Sequence, residues 1–289
     1  MIYGKIGLMR KKLKPIVVIG FFLTFFAIIF ISGRYGNRAT AGKETTITQS
    51  NTNPTSIETI PSSSYYISNA LEMKHIIDIS EWQRPSEIDY DTLSQNISGA
   101  IVRIQSGSHT KNENTATDEN GLDKAFDTHI KEFQARNIPV AVYAYVTGNS
   151  IDSMKEEARS FYEAANKYNP TFYWLDVEEH TMDDMNGGVE AFRQELESLG
   201  AKNIGIYVGT YFMEDHSINV DKFDAIWIPT YGVDSGYYNA APSTDLDYDL
   251  HQYTSRGYVN GFENYLDLNI ITTLKDPNKV YRKLFTTPE

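Results

Sequence analysis

The 289-residue chain contains no cysteine, which excludes disulfides, thiolate metal sites and thiol nucleophiles. Its first 43 residues contain no acid: Lys5, Arg10, Lys11, Lys12, Lys14, Arg34, Arg38 and Lys43 stand there without an Asp or Glu. The remaining 18 basic residues face 38 acidic ones, a net of −20. A body that acidic repels nucleic acid and anionic lipid, so no nucleic-acid partner is expected. Also missing are the G-x-G-x-x-G and P-loop phosphate cradles, the G-x-S-x-G elbow of serine hydrolases and the H-E-x-x-H zinc motif. The composition is otherwise that of a globular protein, 41% hydrophobic and 22% charged. That excludes wholesale disorder, collagen, a coiled coil and a multi-span membrane protein.

One long apolar run is present, Ile16 to Gly33, with only Thr24 and Ser32 as hydroxyl residues. Its eighteen residues would span about 27 Å as a helix, close to the hydrocarbon thickness of a bilayer. Five basic residues precede it, and the positive-inside bias then leaves residues 1–15 in the cytoplasm and the rest of the chain outside. The competing reading is a cleaved signal peptide and a secreted protein, with Ala39-Thr40-Ala41 as the small-x-small site. The length of the run favours an uncleaved single-span anchor at residues 16–33 and a location in the cell membrane. Residues 34–67 form a Ser/Thr-rich tether: between 44 and 64, eleven of 21 residues are Ser or Thr and two are Pro. So little apolar surface cannot offset the ordering entropy. About twenty residues of coil reach roughly 25 Å, enough to hold a domain clear of lipid.

From residue 68 to 289 the pattern is that of a folded domain. Short β-rich runs occur at 75–79, 100–105, 139–146, 172–177, 203–208, 224–229, 248–253 and 265–270. Helical periodicity separates the early ones: Leu122, Phe126, Ile130 and Phe133; Met154, Ala158, Phe161, Ala165 and Tyr168; then Val189, Phe192, Leu196 and Leu199, with Gly200 placed as a C-cap. After Val208 the helical signal weakens. Eight strands with early alternating helices predict an irregular TIM-like α/β barrel, about five βα units closed by further strands. An open doubly wound sheet is the alternative, disfavoured by the missing glycine-rich turn.

Barrels of this class gather functional groups at the C-terminal ends of their strands. Asp78 ends the first strand, Asp176 and Glu178 end the fourth, and Asp267 lies in the last. Side chains two apart on a strand share a face, so Asp176 and Glu178 should meet in one pocket. Each charge raises the pKa of the other, and the apolar flank Phe172, Tyr173, Trp174 and Leu175 raises one further. Paired carboxyls held in different protonation states are the apparatus of glycoside hydrolysis. An isolated D-x-E is more often a solvated strand end, and Asp78 alone reads as a turn or cap residue; their joint placement carries the functional reading. Tyr143, Tyr145, Tyr207, Trp227, Tyr231 and Tyr253, in or just after strands, are candidates to stack on sugar faces, with core packing as the competing role for many of them. Glu179, His180, Asp183 and Asp184, and the stretch Asp118 to Asp123, read as solvated loops rather than metal sites. No metal or cofactor is expected, because paired carboxyls hydrolyse glycosides without one.

In order along the chain, IIDISEWQ, AIVRIQSG, LDKAFDTHIKEFQARNIPVAVYAYV, FYWLDVE, GIYVGTYF, IWIPTYG and HQYTSRGYVNGFENYLDLN resemble glycoside hydrolase family 25, the Chalaropsis-type lysozymes, from about Lys74 to Ile271. The resemblance implies a barrel of five βα units closed by strands. It implies hydrolysis of the β-1,4 bond between N-acetylmuramic acid and N-acetylglucosamine in peptidoglycan. Glu178 matches the family's general acid, Asp176 its partner carboxylate, and Asp78 and Asp267 its two supporting aspartates. It further implies help from the substrate's own 2-acetamido group, positioned by Asp176. The chain departs from the family at Ala144, where His is frequent, at His251, where Trp is usual, and at Pro229-Thr230 in the W-I-A-x-Y segment. The first two departures are expected to alter sugar contacts. The longer D-G-x-D-x-D-x-E run of family 18 chitinases is absent.

Two other readings use the same barrel: a non-catalytic surface glycan-binding domain, which the intact Asp176–Glu178 pair disfavours, and a hydrolase of another cell-surface polysaccharide. The expected partners are peptidoglycan strands and, through the N-terminal helix, the membrane. An anchor without a wall-binding repeat points to remodelling of the producer's own wall. Oligomeric state leaves no trace in the sequence.

Overall fold

The computed structural model describes residues 73–106 and 115–287. The chain divides into two units, residues 1–61 and 62–289, and everything described lies in the second. The expected cytoplasmic segment, membrane span and tether lie outside the described residues. Among the described residues, no helix is long and apolar enough to cross a membrane.

Eight strands close into a barrel in sequence order: β1 (His75–Ile79), β2 (Ile97–Gln105), β3 (Val140–Tyr145), β4 (Tyr173–Val177), β5 (Ile204–Val208), β6 (Ala225–Pro229), β7 (Leu250–Gly257) and β8 (Leu266–Ile271). Neighbours from β1 to β7 pair parallel. Strand β8 runs antiparallel to both β7 and β1 and closes the ring. Helices α1 (Tyr90–Ser94), α2 (Phe126–Ala135), α3 (Ile151–Ala165), α4 (Met185–Leu199) and α5 (Thr210–Asp215) follow β1 to β5 in turn. These are the five βα units expected; β6, β7 and β8 follow one another with no helix between them.

Strand alternation sorts the core into two layers. Ile77, Ile79, Val102, Ile104, Val142, Leu175, Val177, Ile206 and Val208 pack outward with Ile130 and Phe133 of α2, Ala158 and Phe161 of α3, and Val189, Phe192 and Leu196 of α4. Ile76, Ile101, Ala141, Trp174, Trp227 and Leu250 belong to a second, inner cluster. Helix α6 (Pro277–Phe285), which the sequence did not announce, contributes Val280, Leu284 and Phe285 to that cluster and closes the barrel at the N-terminal ends of its parallel strands. Two glycines make room for large rings: a Cβ on Gly99 would lie 2.7 Å from the Phe285 ring, and one on Gly205 would lie 2.4 Å from the Trp174 ring.

Helix limits follow local chemistry. Ser150 and Ser153 form a reciprocal capping box at α3, Asp184 caps α4 through Gly187 N (2.8 Å), and Gly200 ends α4 at φ +96°. Two limits differ from expectation. Leu122 is not helical; Asp118 accepts from the backbone N–H of Asn120 and Leu122, Gly121 takes φ +78°, and Leu122 bridges to Gln105 before α2 begins. The second helical stripe breaks at Ala165, and Tyr168 lies in a 3₁₀ turn ended by Asn169 at φ +49°.

Candidate active site

At the C-terminal ends of the parallel strands lies a polar cavity of about 160 Å³. Asp78, Asp176, Glu178 and Asp267 all line it, with Tyr143, Tyr207, Trp227, Tyr231 and Gln252. Barrel closure brings the ends of the domain together: Asp78 and Asp267 are direct cross-strand partners on β1 and β8. Like charges in that relation destabilise a sheet unless something compensates. Asp176 pairs in register with Tyr145 on one side and Tyr207 on the other.

Asp78 is 6% exposed and its Oδ2 accepts from Gln252 Nε2 (2.8 Å) and Asn269 Nδ2 (2.7 Å). Burial pushes its pKa up to about 6, against the opposing pull of those two amides. Burial, Asp78, Asp234 and Glu178 push Asp267 up to about 8. Asp176 is held well above the ordinary carboxylate range, by burial first, then by Glu178, Asp78 and Asp267, with Arg103 opposing. Among the described residues its Oδ1 is buried without a hydrogen-bond partner. Glu178 is raised by burial, Glu179 and Asp78, yet its side chain is exposed at the cavity's mouth. The apolar flank is expected to raise one member of the pair further. Burial is the largest cause for both, and Asp176 is the deeper of the two.

The loop after Asp78 is pinned from below. Buried His129 is kept neutral, its pKa lowered to about 4 by burial. Its Nε2–H therefore donates to Ser80 O (3.1 Å), while Nδ1 accepts from Tyr90 OH (2.6 Å). Asp123, 1% exposed, accepts from Arg103 Nε (2.9 Å) and from the backbone N–H of Glu81 (3.0 Å) and Ala125 (2.9 Å). A buried ion pair with this many donors meets its desolvation penalty and holds the Arg103 charge under Asp176.

Tyr145 lies at the rim, its hydroxyl donating to Glu179 Oε1 (2.9 Å) rather than facing the cavity. Tyr253 is a correction. Alternation turns Gln252 inward and Tyr253 outward, into the outer core layer, where its hydroxyl meets His75 Nδ1 at 3.1 Å. The same parity removes two expected sugar contacts. Ala144 points outward into the helix-facing layer, and His251, also outward, meets Thr230 O through Nε2 (2.9 Å). The departures from the family at these two positions therefore lie behind the cavity wall.

Gln252 and Asn269 were missed by sequence reasoning. Both are neutral, and only their strand parity, shared with Leu250 and Asp267, marks them as inward. The acidic residues set aside as loops serve the fold: Asp184 caps α4 and Asp118 makes a turn. Among the described residues no group of three His, Asp or Glu is arranged to hold a metal ion.

Asp267 gives a pH-dependent stability prediction. Its carboxyl has a folded-state pKa near 8 against an ordinary value of 3.8, so the folded state binds the proton more tightly. Its stabilising contribution is complete below about pH 3.8 and is lost as the pH rises towards 8. Asp267→Asn removes that loss. The variant should melt above the wild type at pH 8, on the order of a few degrees, with the gap closing towards pH 4. Thermal unfolding at pH 4, 6 and 8 checks this; a variant no more stable at pH 8 would contradict it.

Comparison with known proteins places these features. The family pattern described as Glycosyl hydrolases family 25 matches residues 77–262. A structure of a glycosyl hydrolase 25 from Streptococcus pneumoniae, described as a virulence factor participating in host cell invasion, is 60% identical, with a TM-score of 0.73 over 74% of this chain and 94% of that one. The catalytic domain of the endolysin ply40 from bacteriophage P40 of Listeria monocytogenes is 25% identical, with a TM-score of 0.63 over 74% of this chain and 98% of that one. A bacterial lysozyme from Streptomyces coelicolor shares the fold at 18% identity, with a TM-score of 0.59 over 76% of this chain and all of the other. No curated protein matches the chain.

Proposed function

The chain belongs to glycosyl hydrolases family 25 and is a glycoside hydrolase; from that premise we propose that it cleaves the β-1,4 bond between N-acetylmuramic acid and N-acetylglucosamine in peptidoglycan. The observation that carries this reading is the convergence of four carboxyls on one cavity, with Asp176 Oδ1 buried and lacking a donor among the described residues. An acceptor in that state suits an amide N–H of the substrate, which the 2-acetamido group of N-acetylmuramic acid supplies.

In this mechanism Glu178, at the solvent-facing mouth, protonates the leaving glycosidic oxygen as the bond breaks. The acetamido carbonyl oxygen attacks the anomeric carbon, forming a cyclic oxazolinium. Asp176 accepts the amide N–H and offsets the positive charge that develops. Glu178, now a carboxylate, takes a proton from the water that opens the ring, which restores both the acetamido group and the acid. The raised pKa of Asp176 fits the free enzyme, where the four carboxyls share protons. An arriving N–H favours the ionised form of Asp176, so a proton can pass to Glu178 as the substrate seats. Asp78 and Asp267 tune these pKa values, and Tyr143, Tyr207, Trp227 and Tyr231 form the polar-aromatic wall against which the sugar rests.

The substrate class is tested by measuring new reducing ends from purified peptidoglycan beside chitin and a second wall polysaccharide. Release from peptidoglycan alone is expected; release from another polymer and none from peptidoglycan would assign the barrel to a different glycan.

The basic segment before Ile16–Gly33 and the hydroxyl-rich stretch after it support a membrane anchor with residues 34–289 outside the cell, acting on the producer's own wall. Protease added to wall-stripped intact cells should remove the domain. A domain protected until lysis would overturn this topology, and a mature protein beginning near Gly42 and found in the medium would make it secreted.

A further inference from the structure

The hydrogen bonds around Asp78 have one direction, set by a group that cannot reverse. The Trp227 indole N–H is a donor only. It donates to Asn269 Oδ1 (2.8 Å), so Asn269 presents its Nδ2 to Asp78 Oδ2. Gln252 presents Nε2 to the same oxygen. Its Oε1 accepts from Tyr207 OH (2.8 Å) and from Tyr231 OH. A flipped Gln252 amide would set two acceptors against each other at Asp78 and strand both tyrosine protons. Two N–H donors occupy both lone pairs of Asp78 Oδ2, which leaves Oδ1 as the site for a proton. The tyrosine protons are spent on Gln252, so these hydroxyls offer acceptor lone pairs to the cavity.

We propose that Gln252 and Asn269 are positioning residues, a two-amide clamp that fixes which oxygen of Asp78 carries its proton and which way the hydrogen bonds of the site run. The inference deepens the proposed function by resting on Asp78 as a member of the reacting cluster. Among the described residues, the titratable and charged groups facing Asp78 are Asp267 on β8, Asp176 and Glu178 at the end of β4, Tyr143 on β3, Tyr207 on β5, Tyr231 after β6, and Arg103 on β2 with its partner Asp123. Among them only Arg103 is a cation, and Asp123 pairs with it. The amides therefore supply the direct donors to Asp78.

The test replaces each amide by the carboxyl of the same shape. In Gln252→Glu and in Asn269→Asp an oxygen stands where an N–H donated, and the new pair with Asp78 must share one proton. Carboxyl ¹³C titration of the free protein should show one group added in each variant. That group should lose its proton at least one pH unit above the ordinary carboxylate range. On peptidoglycan, the ratio of variant to wild-type kcat/KM should fall at least about tenfold between pH 5 and pH 8 as the shared proton leaves. The two variants sit on different strands, so a folding defect in one leaves the other to decide. Titration of the added carboxyl in the ordinary range, with a ratio independent of pH, would overturn the inference. A wild-type protein inactive on peptidoglycan would count against the proposed function, while the free-protein titration still decides the clamp.

Discussion

Glu178→Gln should lose about 10²–10⁴-fold or more in kcat with its fold intact. The amide preserves shape and hydrogen bonding but cannot deliver a carboxylic proton to the leaving oxygen. Glu178 stands exposed at the cavity's mouth, so the change disturbs no packing. It also removes one of the like charges that raise Asp176, so thermal stability should not fall. Reducing-end release at saturating peptidoglycan, measured beside a melting curve, checks both points. A variant within threefold of wild type would show that another group donates the proton. A variant that has lost both activity and its melting transition would mean that Glu178 also supports the fold.

Asp176→Asn should reduce kcat by about 10²–10³-fold, the usual effect of removing one group aimed at developing charge. Asp176 is 8% exposed, and its Oδ1 lacks a partner among the described residues. The amide keeps the volume and one acceptor oxygen but removes the negative charge. The ground state loses little, because the sugar is already held by the aromatic wall, whereas the oxazolinium-like transition state loses its counter-charge. KM should therefore change far less than kcat. A raised KM with kcat unchanged would mean that Asp176 binds substrate without assisting the chemistry. The variant should also be at least as stable as wild type near pH 7, since a carboxyl whose folded pKa is raised loses stabilisation as it ionises.

Much of this architecture is legible in the amino-acid sequence. The eight apolar runs became eight strands because a barrel buries both faces of each strand, so even short segments stand out. The D-x-E spacing at the end of β4 puts two carboxyls on one face because side chains alternate along a strand. What was not legible depends on closure and register. The juxtaposition of Asp78 and Asp267, 189 residues apart, requires that β8 run antiparallel beside β1. Whether Gln252 or Tyr253 faces inward depends on a strand parity that aromatic character alone does not reveal, and the tyrosine drew attention because it can stack on sugars. The neutral amides of Gln252 and Asn269 carry no charge pattern, and α6 is a short amphipathic segment whose partner is the bottom of a barrel that must already be closed. The upward push on the carboxyls comes from burial and from neighbouring charges, which spacing does not encode.

The most direct measurement is ¹H NMR of a soluble peptidoglycan fragment during the first minutes of cleavage. It reads the sugar that carries the new reducing end and the anomeric configuration of that end before mutarotation. Attack by the 2-acetamido group followed by water is a double displacement, so the account predicts N-acetylmuramic acid at the new end, appearing first as the β-anomer. The α-anomer first would remove Asp176 and the acetamido group from the mechanism, and N-acetylglucosamine at the new end would contradict cleavage of the muramyl bond itself.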